Sequence, residues 1–173
     1  MVSEVHRYQY LIALGSNLGD RGDALRQAQQ LILSRCGLIA ACASTYETAP
    51  VGAADQKFLN SALICHSAID PEEFLAELLA IEIELGRVRT VRWGNRTIDL
   101  DLLLCRRRDD VKPVAWESPS LTLPHPEILA RDFVLVPAVE IAADWVHPAS
   151  GRALEDELAL LGYALRPQSR AFF

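Results

Sequence analysis

Two aspartates, Asp99 and Asp101, stand one residue apart in the run Arg96-Thr97-Ile98-Asp99-Leu100-Asp101-Leu102-Leu103-Leu104. Strand alternation puts Ile98, Leu100, Leu102 and Leu104 on one face and both acids on the other. Two residues along a strand span roughly 6.5–7 Å. Carboxylates so spaced can converge on hard cations and bracket a pair of Mg2+ ions. Two solvated acids on an open strand face would show the same pattern, and spacing alone does not separate these readings. Just upstream lie Arg87, Arg89, Arg92 and Arg96, in a segment bounded by Gly86 and Gly94 that reads as a basic loop. Arginines facing a metal-binding acid pair suit phosphate transfer, because the cations cover spread charge while the metal bridges oxygens. The plainer alternative is a solvated charge run in an acidic protein.

Other candidates are weaker alone. Gly15-Ser16-Asn17-Leu18-Gly19 leaves a strand and opens a helix, so it reads as a tight turn, with a phosphate cradle as the alternative. No Walker-type phosphate loop is present. Phe58 and Asn60 share one face of a strand and could offer stacking and hydrogen bonds to a flat heterocycle, with backbone groups of Thr48 to Val51 nearby. Glu82 lies beside the apolar stripe of its helix, where the pattern favours a surface charge. His125 is framed by Pro124 and Pro126, which fix its backbone. His6, His66 and His147 form no spaced cluster, so zinc is not indicated.

The elements that must position these groups follow from periodicity. Strands are predicted at Tyr8 to Leu14, Leu38 to Tyr46, Lys57 to His66 and Thr97 to Cys105. Helices are predicted from Asp20 to Arg35 and from Asp70 to about Gly86, the second with Asp70 as cap, Pro71 at the first position and Glu73 in a capping box. That β-α-β-β-α-β order suits an antiparallel sheet with two helices on one face. Arg106 to Ser118 reads as an exposed excursion, and Phe133 to Ala142 and Ala153 to Leu161 as short helices. Residues 1–7 and 166–173 are expected to be loosely held ends of a single domain spanning 1–173.

Composition narrows the class. A net charge of −6 argues against nucleic acid and anionic membrane surfaces as partners. No segment has the apolar length of a membrane span or signal peptide, and Cys36, Cys42, Cys65 and Cys105 form no CxxC pair, so a cytoplasmic protein with reduced cysteines is expected.

Jointly, these residues resemble a known family. The matching stretches are Ala13-Leu14-Gly15-Ser16-Asn17-Leu18-Gly19-Asp20; Tyr46-Glu47-Thr48 with Pro50 and Gly52; Phe58-Leu59-Asn60; Gly86-Arg87 with Arg89; Arg92-Trp93-Gly94 with Arg96 to Asp101; and Pro124-His125-Pro126 followed by Arg131 and Phe133. In this order they resemble 6-hydroxymethyl-7,8-dihydropterin pyrophosphokinases. The resemblance implies a ferredoxin-like α+β sandwich with extra strands and C-terminal helices. It implies transfer of pyrophosphate from ATP to the pterin in folate biosynthesis, by a monomer, with Asp99 and Asp101 binding two Mg2+ ions. Arg87, Arg92 and Arg96 would join them in catalysis. Glu82, Arg89, Trp93, Ile98, Thr122, His125 and Arg131 would surround ATP. Thr48, Ala49, Val51, Phe58, Asn60 and Phe133 would hold the pterin, and the loop from Arg87 to Trp93 would close over the site. Thr90 and Ser120 depart from the family, standing where basic residues are common. A metal-dependent nuclease or glycosyl transferase could use the same acid pair, and a nucleotide-binding module without catalysis could keep the same arginines.

Overall fold

A computed structural model describes residues 6–88, 94–109 and 111–162. Strand β1 (Tyr8–Ser16) leads into helix α1 (Arg21–Arg35), whose first turn is closed by the Asp20 carboxylate accepting from Asp23 N at 2.9 Å. Strands β2 (Leu38–Cys42), β3 (Tyr46–Thr48) and β4 (Phe58–Ser67) precede helix α2 (Pro71–Glu84) and strand β5 (Asp99–Arg107). The short pair β6 (Trp116–Glu117) and β7 (Thr122–Leu123), helix α3 (Asp132–Ala142) and helix α4 (Leu154–Leu160) complete the order.

The main sheet runs β2-β4-β1-β5, with every pairing antiparallel. Together β2 and β3 occupy one edge of β4, where a single strand from Leu38 to Tyr46 was expected. The break falls at Ser44, whose N–H and hydroxyl turn out of the ladder to Glu140 of α3 at 2.9 and 2.8 Å.

One sheet face packs on α1 and α2. The predicted helical stripes close this core: Leu25, Ala28 and Ile32 from α1, and Phe74, Leu78 and Ile81 from α2, against Tyr10, Ile12, Leu14, Leu63 and Leu100. The opposite face carries α3 and α4, with Val134, Leu135, Ala138 and Leu158 over Leu11, Ala13, Ile64, Leu103 and Leu104. This is the ferredoxin-like α+β arrangement with added strands and C-terminal helices.

Three local expectations need correction. Strict alternation placed Leu104 with Leu100 and Leu102. A bulge intervenes, since Leu11 pairs with Leu104 while Ile12 pairs with Leu102. The extra residue, Leu103, turns with Leu104 toward α3, so one strand supplies apolar side chains to both cores. Asp70 makes no side-chain cap; its carboxylate lies 3.5 Å from Arg7, and its carbonyl accepts from Phe74 N at 2.8 Å. Arg106 and Arg107 extend β5 instead of opening an exposed excursion, because the Arg106 guanidinium lies 4.1 Å from the Trp145 ring centroid and bonds Gln9 Oε1 at 2.5 Å. Of the ends expected to be loose, only His6 and Arg7 fall among the described residues.

The Phe74 ring is fully buried, 4.0 Å from the Tyr10 ring centroid. Phe74→Ala is therefore expected to cost about 3–5 kcal/mol of stability. Urea unfolding checks this, and a loss below about 1 kcal/mol would contradict the packing described.

Candidate active site

The α3 helix covers only part of its sheet face. Beyond it the face opens into a cavity of about 950 Å3. Pairing register lays out the floor. Asn60 of β4, Gly15 of β1 and Asp99 of β5 form one row across the sheet, with Ala62, Ala13 and Asp101 in the next. A Cβ at Gly15 would meet Asn60 Oδ1 at 3.0 Å and Asp99 Cβ at 4.0 Å. The glycine thus keeps open the passage between an amide-bearing half and an acid-bearing half.

On the β4 side, Phe58, Thr48, Ala49 and Val51 line the cavity, and Phe133 enters from the first turn of α3. Asn60 Nδ2 donates to Thr48 Oγ1 at 2.7 Å, which orients the amide. Together they make an aromatic and aliphatic pocket with one fixed hydrogen-bonding edge.

On the β5 side, three arginines converge on the acids. Arg87 lies 2.7 Å from Asp99 Oδ1 and Arg96 lies 2.5 Å from Asp99 Oδ2, while Arg131 stands 3.9 Å from Asp101. Each has its own anchor. Just past the end of α2, Gly86 with a φ of +84° reverses the chain and lets Arg87 N donate to Glu82 O at 3.0 Å. The Arg87 guanidinium then pairs with the Glu82 carboxylate, which also accepts from Leu100 N at 2.7 Å. The Arg96 backbone is held by Asn17, whose Oδ1 accepts from Arg96 N at 2.8 Å and whose N–H donates to Arg96 O at 3.1 Å. Arg131 pairs with Glu127 one turn before it.

Burial raises the affinity of Asp101 for a proton, and the neighbouring Asp99 charge adds to this against the opposing pull of His125, Arg131 and Arg87. His125 lines the cavity, with its N–H on Leu103 O at 2.8 Å and its Nδ1 accepting from Glu127 N at 3.2 Å. An acid pair under mutual repulsion fits a divalent cation. Among the described residues no third acid, histidine or cysteine joins the two, so phosphate oxygens and water would complete the coordination, as suits Mg2+.

The structure therefore gathers Thr48, Ala49, Val51, Phe58, Asn60, Arg87, Arg96, Asp99, Asp101, His125, Arg131 and Phe133 around one cavity. Three other candidates lie off it. Glu82 is 2% exposed, a buried anchor where the helical pattern favoured a surface charge. Ile98 is fully buried in the core beneath α1 and α2, and Thr122 is exposed on β7. Arg89, Arg92 and Trp93 lie outside the described residues. The phosphate-cradle alternative finds no support among the described residues: none from Ser16 to Arg21 lines the cavity, and Asp20 already takes the α1 amide. Sequence reasoning missed the floor role of Gly15, which strand register reveals, and the Glu127 anchor, which its i,i+4 spacing to Arg131 signals.

A ferredoxin-like sandwich with paired acids facing arginines beside a heterocycle pocket defines an enzyme of phosphate-group transfer. Residues 11–143 match the family model described as 7,8-dihydro-6-hydroxymethylpterin-pyrophosphokinase (HPPK), and the chain belongs to that family. It is 43% identical over 148 residues to the 2-amino-4-hydroxy-6-hydroxymethyldihydropteridine pyrophosphokinase of Bacillus subtilis, covering 84% of this chain and 85% of the relative. It is 37% identical over 145 residues to the Synechocystis enzyme of the same name, covering 83% and 71%. Among solved structures, an HPPK-DHPS in complex with substrates superposes with a TM-score of 0.69 at 14% identity, covering 90% of this chain and 43% of that one, a likeness of fold. The chain thus spans under half the length of that structure.

Burial raises the Glu82 proton affinity beyond what the Leu100 N–H and Arg87 offset. A carboxyl with a raised folded pKa adds stability at acid pH, and that contribution is lost as pH rises through the folded pKa. Glu82→Gln keeps an oxygen for Leu100 N–H and removes the charge. Thermal unfolding from about pH 5 to pH 8 should show wild type losing stability relative to Glu82→Gln as pH rises. Parallel curves would refute the assignment.

Proposed function

We propose a division of labour among these residues for the reaction that membership of the family assigns to this chain, pyrophosphate transfer from ATP to 6-hydroxymethyl-7,8-dihydropterin. The observation that carries it is that one cavity joins, across Gly15, an amide-and-aromatic half to a half that holds Asp99 and Asp101 among arginines.

The pterin lies against Phe58 and Phe133, with Thr48, Asn60 and the main chain near Ala49 and Val51 reading its polar edge. Its hydroxymethyl group crosses above Gly15 toward the acids. The triphosphate lies among Arg87, Arg96 and Arg131 with His125; Arg89, Arg92 and Trp93, outside the described residues, are assigned to ATP with them. Glu82, Ile98 and Thr122 act from behind it, Glu82 by holding Arg87. The donor set of Asp99 and Asp101 fits two Mg2+ ions shared with the phosphates, which when bound neutralise phosphate charge and polarise the attacking hydroxyl.

The hydroxymethyl oxygen attacks the β-phosphorus in line, forming a new O–P bond. The bond from that phosphorus to the bridging oxygen breaks, and AMP leaves with the electron pair. Asp101 accepts or directs the hydroxyl proton. Arg87, Arg92 and Arg96 stabilise the transferring charge. Among the described residues no helix is long and apolar enough to cross a membrane. The proposal places the protein in the cytoplasm as a monomeric single domain.

The test is chromatography of AMP from ATP, Mg2+ and 6-hydroxymethyl-7,8-dihydropterin. AMP should require both pterin and metal, whereas ADP or no turnover would overturn the assignment. Asp99→Asn should fold normally and lose about 10^2–10^3 in kcat, and near-normal turnover would remove Asp99 from the metal site.

A further inference from the structure

Asn17 is completely buried at the turn leaving β1, outside the cavity lining. Its backbone-directed bonds to Arg96 are half of its contacts. Its Nδ2 donates both to Gln56 O at 3.0 Å and to Asn95 Oδ1 at 2.8 Å. Asn95 passes the link on: its Nδ2 donates to Asp55 Oδ1 at 2.6 Å, and its Oδ1 also accepts from Asp55 N at 3.3 Å. One Asn95 oxygen thus takes two N–H donors while its NH2 meets a carboxylate, so the partners dictate the orientation of the amide.

These bonds join chain segments 39 to 79 residues apart. One segment, from Ala49 to Gln56, carries the wall beside Phe58 and Asn60. The other, from Gly94 to Asp99, carries Arg96 and the first metal-facing acid. Without the clasp, each would be a separate loop whose ordering opposes productive alignment of two substrates. We propose that Asn17, Asn95 and Asp55 are positioning residues that lock the pterin wall and the triphosphate wall into one unit. The inference rests on the assignment of the two halves given above.

The test exchanges the bond without removing it. Asn95→Asp sets a carboxylate against the Asp55 carboxylate and breaks the link by like-charge repulsion. Adding Asp55→Asn restores it, because the new amide donates to the carboxylate at position 95, which still accepts from Asn17. Asn95→Asp alone should lower kcat and raise the KM for pterin and for ATP, together worth about tenfold in kcat/KM or more. The double variant should return to within about threefold of wild type. Unchanged kinetics in the single variant, or a loss that Asp55→Asn fails to rescue, overturns the clasp. Hydrogen exchange of the full chain gives a readout that needs no turnover. Amides of residues 51–56 and 94–97 should exchange faster together in Asn95→Asp and recover together in the double variant; loss of protection in only one segment, or in neither, also overturns it. Absence of pterin-dependent AMP from wild type instead sinks the assignment of the halves, and the exchange experiment then decides the clasp alone.

Discussion

Two part-buried carboxylates held on neighbouring positions of one strand face make an electrostatic demand that organises the site around them. Asp99 and Asp101 stand on a sheet whose other inward residues at this level are Gly15, Ala13, Ala62 and the neutral Asn60, so no cation within the sheet answers their charge. The answer comes from three separate chain segments. Arg87 follows α2, Arg96 precedes β5, and Arg131 precedes α3. A buried ion pair is a weak source of stability, because desolvation offsets much of the Coulomb gain. The groups that hold Asp99 in the free protein are also those a triphosphate needs, and an incoming cation can take the acids while the phosphates take the arginines.

Such an exchange demands guanidinium groups that are placed but not spent. Each arginine has a second partner away from the acids: Glu82 for Arg87, the Asn17 grip on the Arg96 backbone, and Glu127 for Arg131. Glu82 and Glu127 hold the Arg87 and Arg131 guanidinium groups independently of the aspartates, and Asn17 holds the Arg96 backbone. Glu82 is the most informative, because it ties Arg87 to the Leu100 amide between the two aspartates. The end of α2 and the start of β5 are therefore tied together.

Much of this was legible in the residues. Alternation assigned Asp99 and Asp101 to one face, and helical spacing assigned Leu25, Ala28, Ile32, Phe74, Leu78 and Ile81 to the core. What periodicity could not carry was any feature fixed by a distant partner. The Leu103 bulge depends on pairing with β1, and the break at Ser44 depends on Glu140 of α3. The Asp70 carboxylate is drawn off its helix by Arg7. For the same reason Glu82 read as a surface charge: its place beside the apolar stripe is visible, whereas the two groups that justify burying it lie in other elements. Gly15 looked like part of a turn because a glycine's role as open floor appears only when its neighbours across the sheet are known.

A site so charged poses a final problem, since any further ionised side chain used for positioning would perturb the acids and the arginines it was meant to place. The chain meets this largely with amides. Asn60 orients against Thr48 on one side, and Asn17 and Asn95 join the loops on the other. An amide offers donors and acceptors in a fixed plane without net charge, so it sets geometry while leaving the field at Asp101 to the groups that act. Where charges enter the framework, Glu82 and Glu127 pair with Arg87 and Arg131, and Asp55 faces Asn95, not the acids. Amides thus set the geometry of the two loops, and carboxylates that face the arginines set the geometry of the guanidinium groups.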